Sequence, residues 1–200
     1  MRSTMPRLPG LLVKNLNNDQ RALFETLTGG KRSTGRSLDA FLDSDGAMRG
    51  PFNAMLHHPA AGAVVQRLGE LLRFEGTLND AQREVAILTV GRHWRAQYEW
   101  WAHARIAEGV GVAPDLIQAI YDQAPLSGFA SDLTAIHTFV RELTETQQVS
   151  DAAYAVAHAE LGDEGIVELV ILAGYYGVIS GILNTFEVPL PAGETLPFDK

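Results

Sequence analysis

The sequence predicts an all-α fold, and three observations carry that reading. Apolar residues recur at three- and four-residue spacing in the segments after Pro59. No segment shows the apolar–polar alternation of a half-buried strand. Residues suited to helix caps and stops bracket the periodic runs. The length of 200 residues suits one compact domain with a short extension. The division expected is an N-terminal extension over 1–45, partly helical, followed by an all-α domain over 46–195.

The extension is the least regular part. Asn18 to Leu27 fits one helix ended by Gly29-Gly30, and Leu38 to Leu42 fits a short turn of another. The run Gly29-Gly30-Lys31-Arg32-Ser33-Thr34-Gly35 reads as a loop, because it lacks both the preceding strand and the Gly-Lys-Ser/Thr order of a phosphate-binding loop. From Pro59, the residues Val64, Val65, Leu68, Leu71 and Leu72 form one apolar stripe, with Gly76 as a stop. Asn79 with Gln82 three residues on is a capping-box pattern, opening a helix from about Ala81 into the Arg92 region. A second helix covers Gln97 to Glu108 and stops at Gly109 and Gly111. Pro114 suits the first turn of the next, which ends near Asp122. Asp132 to Leu143 and Ser150 to Leu161 follow, the latter stopped by Gly162. Asp163 then caps a long helix to about Phe186, which Val188-Pro189-Leu190-Pro191 breaks.

Composition excludes several classes of function. A formal charge of −8 and the lack of any Lys/Arg run argue against nucleic acid as a partner. The chain has no cysteine, which removes disulfides, thiolate catalysis and thiolate metal sites together. Met1 to Asn15 lacks an apolar core long enough for a signal segment, so a cytoplasmic location is expected. Leu169 to Phe186 is the most apolar window, but Ser180, Asn184 and its glycines suit a buried or intersubunit helix rather than a membrane span. The same window is apolar on nearly every face from Val167, which predicts a homo-oligomer.

Chemistry concentrates in Arg83-Glu84 and in Gln97-Tyr98-Glu99-Trp100-Trp101-Ala102-His103. Glu99 and His103 are four apart and share a helix face, and Arg95 sits four before Glu99 in what reads as the same row. Each pairing taken singly suits a structural ion pair. Taken together they suit proton transfer. Trp94, Trp100 and Trp101 are the chain's three tryptophans, and indoles exclude water and raise carboxylate pKa values. A neighbouring imidazole titrates near neutrality and relays protons to carboxylates. Arg83, Arg92 and Arg95 are candidates to hold a carboxylate substrate by paired hydrogen bonds. Metal binding is the weaker reading, since Glu-x-x-x-His matches neither the His-Glu-x-x-His pattern nor di-iron Glu-x-x-His spacing. His57-His58, before Pro59, suits a turn or helix entry, and His137 and His158 suit packing.

At these residues the sequence resembles the carboxymuconolactone decarboxylase family, whose fold is that of the alkyl hydroperoxidase D proteins. The resemblance is carried by Arg83-Glu84-Val85-Ala86-Ile87-Leu88, by Tyr98-Glu99-Trp100 with Ala102-His103, and by Glu168-Leu169-Val170, Gly174-Tyr175-Tyr176 and Leu183-Asn184. Gly50-Pro51-Phe52-Asn53-Ala54-Met55-Leu56 resembles the entry to such domains. The peroxidase branch of the fold places cysteines where this chain has Ala96 and Glu99, so the resemblance retains the proton-handling ends and drops the redox centre.

The decarboxylase branch implies a cofactor-independent carboxy-lyase acting on a small lactone or unsaturated carboxylic acid. In that reading Glu84, Glu99 and His103 are catalytic, while Arg83, Arg95, Tyr98 and Trp94 bind substrate. No metal and no cofactor is expected. Family members commonly form trimers or hexamers of one subunit. The alternatives are a non-redox oligomer that binds a small acid, and a peroxidase-type antioxidant protein, which the missing thiols disfavour.

Overall fold

The computed structural model describes residues 6–35 and 37–199. Residues 1–5, which open the stretch read above for a signal segment, lie outside the described residues. Among the described residues there are eight α-helices and no strand, with only isolated bridges between Leu12 and Ala47 and between Leu42 and Met48. The helices are α1 (Asn18–Gly29), α2 (Pro51–His57), α3 (Pro59–Phe74), α4 (Asp80–His93), α5 (Gln97–Gly109), α6 (Pro114–Asp122), α7 (Ser131–Thr146) and α8 (Asp151–Thr185). The chain divides into two compact units. One runs through Glu75 and takes up Ile182–Thr195; the other is Gly76–Gly181 with the residues from Leu196 onward.

In the first unit, α1 is opened by a capping box in which Asn17 and Gln20 satisfy each other's backbone N–H groups. Its Leu23, Phe24 and Leu27 are buried, and α1 packs on α2 and α3. Lys31–Ser33, expected as loop, forms one 3-10 turn. Gly50 takes φ 62°, a conformation that favours glycine, and Pro51 then starts α2. His58 closes the gap to α3, its Nδ1 accepting from Ala61 N–H at 3.4 Å, as the helix-entry reading expects.

Of the apolar stripe of α3 only Leu72 is buried. The buried residues are Gly62, Gln66, Gly69 and Leu72, while Val64 is 71% exposed and Leu68, Leu71 and Phe74 also face outward. The cause is close approach. A Cβ on Gly62 would lie 2.6 Å from the Met55 carbonyl oxygen and 2.9 Å from Leu23 Cδ2, so small residues fit that seam and larger ones do not.

In the second unit α4 is the central element. Residues Arg83 through Gly91 are all buried, and the helix packs on α5, α6 and α7. A helix surrounded this way is apolar on nearly every face, which is why Val85-Ala86-Ile87-Leu88 runs without a polar break. Asn79 and Gln82 form the expected capping box. Upstream, Glu168 on α8 accepts from Thr77 N–H at 2.5 Å and from Thr77 Oγ1 at 2.6 Å. The loop entering α4 is thereby tied to α8. Only glycine fits beside that carboxylate, since a Cβ on Gly76 would stand 2.1 Å from Glu168 Oε1.

The corner between α4 and α5 is tight. Ala96 N–H donates to the Gly91 carbonyl at 3.0 Å and Arg95 N–H to the Arg92 carbonyl at 3.1 Å, with Arg95 at φ 48°. This is a Schellman-type stop with arginine at the position where glycine is usual. Further on, α8 is broken at Gly162, which has φ 66° and ψ −176°, where the sequence places one helix end and the next start. α8 is long and apolar enough by length and composition to cross a membrane, with a window of mean hydropathy 2.0, yet 56% of that window is buried within the chain.

Candidate functional site

Glu84 sits in the second turn of α4, and Glu99 and His103 lie one turn apart on α5. Gly91 faces the start of α5, and a Cβ there would stand 3.7 Å from Glu99 Cγ, an ordinary contact. Packing α5 on α4 places the imidazole between the two carboxylates. His103 Nδ1–H donates to Glu84 Oε2 at 2.6 Å, a short charge-assisted bond. On the other side Nε2 lies 3.1 Å from Glu99 Oε1, off the line of a hydrogen bond, so that this oxygen has no aligned donor. Glu84 is 1% exposed, Glu99 4% and His103 7%.

The electrostatics follow from this sandwich. Burial alone pushes the imidazole pKa down, because the low-dielectric interior disfavours its charge. The negative charges of Glu84 and Glu99, with the hydrogen bond to Glu84, outweigh burial and hold His103 up at about 9. At neutral pH His103 is therefore an imidazolium, with Nδ1–H fixed by Glu84 and Nε2–H held only by the misaligned contact to Glu99.

The aromatic ring against His103 is Tyr176, edge-on with centroids 5.2 Å apart, and Tyr175 stands edge-on to Tyr176 at 5.1 Å. Tyr176 is buried on α8. It is the site residue that sequence reasoning missed, although two adjacent phenols inside so apolar a helix were the available signal.

The other expected site residues have these neighbours. Arg83 is buried but gives its guanidinium to the start of its own helix, pairing with Asp80 and donating to the Leu78 carbonyl at 3.2 Å. Arg95 does not extend the Glu99–His103 row, because its left-handed backbone ends α4 before α5 begins at Gln97. Its Nη2 donates to the Asp199 carbonyl at 2.7 Å, and its guanidinium lies 5.7 Å from the Phe198 ring centroid. Tyr98 packs on Trp101 with ring centroids 5.4 Å apart. Trp94 lies along α8, its Nε1 3.7 Å from where a Cβ on Gly177 would be. Trp100 points to Tyr121 and Phe198. The tryptophans are thus shown packing on these partners, and the ring found on His103 is a phenol.

The two later histidines differ from each other. His137 is buried on α7 with Nδ1 2.9 Å from Thr89 Oγ1, whose own proton goes to the Val85 carbonyl at 2.8 Å. Burial first, and then the nearby charge of Arg141, push His137 down to about 4, so it is a neutral packing residue. His158 packs differently. It is half-buried, stacks on Tyr154 and pairs with Asp163 at 2.7 Å across the Gly162 break.

The described residues are all-α, and a carboxylate–imidazole–carboxylate array is buried between α4 and α5 in a sequence without cysteine. Residues 59–139, the stretch from α3 into α7 that holds Glu84, Glu99 and His103, match the model of the carboxymuconolactone decarboxylase family. No curated protein matches the chain. Among solved structures, the chain is similar to the alkylhydroperoxidase AhpD core of an uncharacterized peroxidase-related protein from Ralstonia eutropha JMP134. The identity is 15% and the TM-score 0.72, over 94% of this chain and 93% of that one. An uncharacterized peroxidase-related protein from Silicibacter sp. TM1040 is similar at 14% identity and TM-score 0.67, over 94% and 92% of the two chains. A protein of unknown function from Agrobacterium tumefaciens is similar at 18% identity and TM-score 0.64, over 70% of this chain and 97% of that one. At such identities the likeness establishes an AhpD-like fold.

Proposed function

We propose that the protein is a cofactor-independent carboxy-lyase that removes CO₂ from a small lactone or unsaturated carboxylic acid. The observation that supports this reading most is the His103 imidazolium, held between Glu84 and Glu99 with one firmly bound and one loosely bound proton. Loss of CO₂ breaks the carbon–carboxylate bond and leaves its electron pair on carbon, conjugated with the unsaturated system. His103 Nε2 donates its proton to that carbon, Glu84 steadies the ring through Nδ1, and Glu99 accepts the next proton and returns it to Nε2. A carboxylate that enters beside Glu99 sheds its hydration and meets like charge, whereas the delocalised transition state suffers less from both. Tyr176, edge-on to the imidazole, supplies an apolar wall.

Peroxidase chemistry, for which the structural neighbours are named, does not carry over to this chain. Thiol-based peroxide reduction needs a cysteine pair, and this sequence contains no cysteine. A non-catalytic binder of small acids is the remaining alternative, and turnover separates the two. The test is CO₂ release, or loss of ultraviolet absorbance, with a panel of unsaturated and lactone carboxylic acids. Glu99→Gln is expected to lower turnover at least ~100-fold with the fold intact. Undiminished turnover in that variant overturns the assignment.

Self-association belongs to the same proposal. Val167, Val170, Ile171 and Val178 form an exposed apolar row on α8, which favours a homo-oligomer; a trimer or hexamer is what the family resemblance implies. A monomeric mass by light scattering contradicts it.

A further inference from the structure

Residues Leu196–Asp199 belong to no helix or strand, yet one side chain and three carbonyls of the segment are held by side chains of the second unit. The Phe198 ring is 3% exposed. It stacks on Tyr121 with centroids 5.3 Å apart and planes 4° from parallel, and meets Trp100 edge-on at 5.6 Å. The Arg92 guanidinium lies 5.4 Å from its centroid. Four further bonds reach backbone atoms of the segment. Gln97 reads both sides of Phe198, its Nε2 donating to the carbonyl at 2.7 Å and its Oε1 accepting from N–H at 2.9 Å. Tyr121 OH donates to the Pro197 carbonyl at 2.5 Å, and Arg95 to that of Asp199.

One aromatic side chain in a pocket, with the flanking backbone captured by side chains, is how proteins bind extended peptides. The receptor has a telling location. Arg95 is the corner residue, Gln97 is the first residue of α5, and Trp100 follows Glu99 directly. The first turn of α5, which aims Glu99 at His103, is therefore gripped from outside by this segment. Arg92 adds a second tie, its Nε donating to the Tyr121 carbonyl at 2.5 Å.

We propose that Leu196–Asp199 is a latch, a Pro-Phe peptide bound in cis at the α4–α5 corner, whose occupancy holds the first turn of α5 so that Glu99 stands opposite His103. Phe198 is then a positioning residue. Occupancy of the latch does not depend on the carboxy-lyase reading; its effect on turnover does.

The experiment uses full-length Phe198→Ala and a synthetic Leu-Pro-Phe-Asp peptide. Hydrogen exchange of the Trp100 and Trp101 amides is expected to quicken about tenfold in the variant while the α7 amides stay as in the wild type. Millimolar peptide should restore slow exchange, and Leu-Pro-Ala-Asp should not. With a turned-over acid in hand, kcat should fall at least about tenfold and recover with the peptide. If Phe198→Ala fails to fold, Gln97→Ala removes the two backbone bonds and leaves the ring pocket, and the same exchange readout applies. The latch is overturned if α5 exchange is unchanged, or if all helices exchange faster together and the peptide restores none of them. Exchange that recovers while kcat was never affected overturns the positioning role alone. A wild type that turns over no acid counts against the carboxy-lyase reading, and the exchange result still decides the latch.

Discussion

Glu84 Oε2 lies 2.6 Å from His103 Nδ1, joining two helices through a buried charge-assisted hydrogen bond. That bond fixes which proton of the imidazolium is structural and which is free to move. Breaking it exposes the cost of the arrangement, because a buried charge without its partner is far less stable than the pair. Glu84→Gln is expected to lower the His103 pKa from about 9 toward the ordinary histidine range, as followed by imidazole NMR. A titration that stays near 9 in that variant contradicts the role given to Glu84.

The raised pKa is also a statement about stability. A group that binds its proton more tightly when folded contributes fully below its unfolded value of 6.5 and loses that contribution as pH rises through about 9. Denaturant unfolding should therefore show stability falling between these limits, by on the order of 3 kcal/mol. The fall should be absent in His103→Gln.

His137 predicts the opposite limb. Its pKa is depressed to about 4, so its contribution is complete above 6.5 and is lost as pH falls from 6.5 toward 4. Thr89 already donates to the Val85 carbonyl, so His137→Phe leaves no buried donor without an acceptor. That variant should flatten the acid limb of the stability curve. An unchanged acid limb would show that His137 charges freely in the fold.

The Gly76–Glu168 contact gives a steric prediction. Gly76→Ala should destabilise by about 2 kcal/mol, the scale of overpacking and of disturbed buried hydrogen bonds. All three nearest atoms to the added Cβ belong to Glu168. In a Glu168→Ala background the same substitution should cost less than about 0.5 kcal/mol, a coupling that thermal or denaturant unfolding of the double-mutant cycle measures. Equal costs in both backgrounds contradict the clamp.

What the sequence made legible was local. Asn79 with Gln82, Pro114 and Gly162 each fix a helix end through bonds or backbone angles within a few residues, and each is found where expected. Glu99 and His103 share a helix, so their neighbourhood was legible too. The bond to Glu84 joins residues 19 apart, and only the resemblance and the crowding of titratable groups pointed to it. Tyr176 arrives from α8, with nothing near His103 in sequence to announce it. Arg95 misled because a left-handed corner is usually marked by glycine, and here arginine adopts it. The face of α3 misled because the tight seam at Gly62 favoured small residues over the apolar stripe.

The most direct test of the central claim is CO₂ release by the wild type and by His103→Ala, measured with the same acid panel from pH 6 to 10. The account predicts turnover that is level through neutrality, declines as His103 loses its proton near 9, and falls at least ~100-fold in the variant. Turnover by His103→Ala equal to that of the wild type, or no CO₂ from any acid tested, would contradict it.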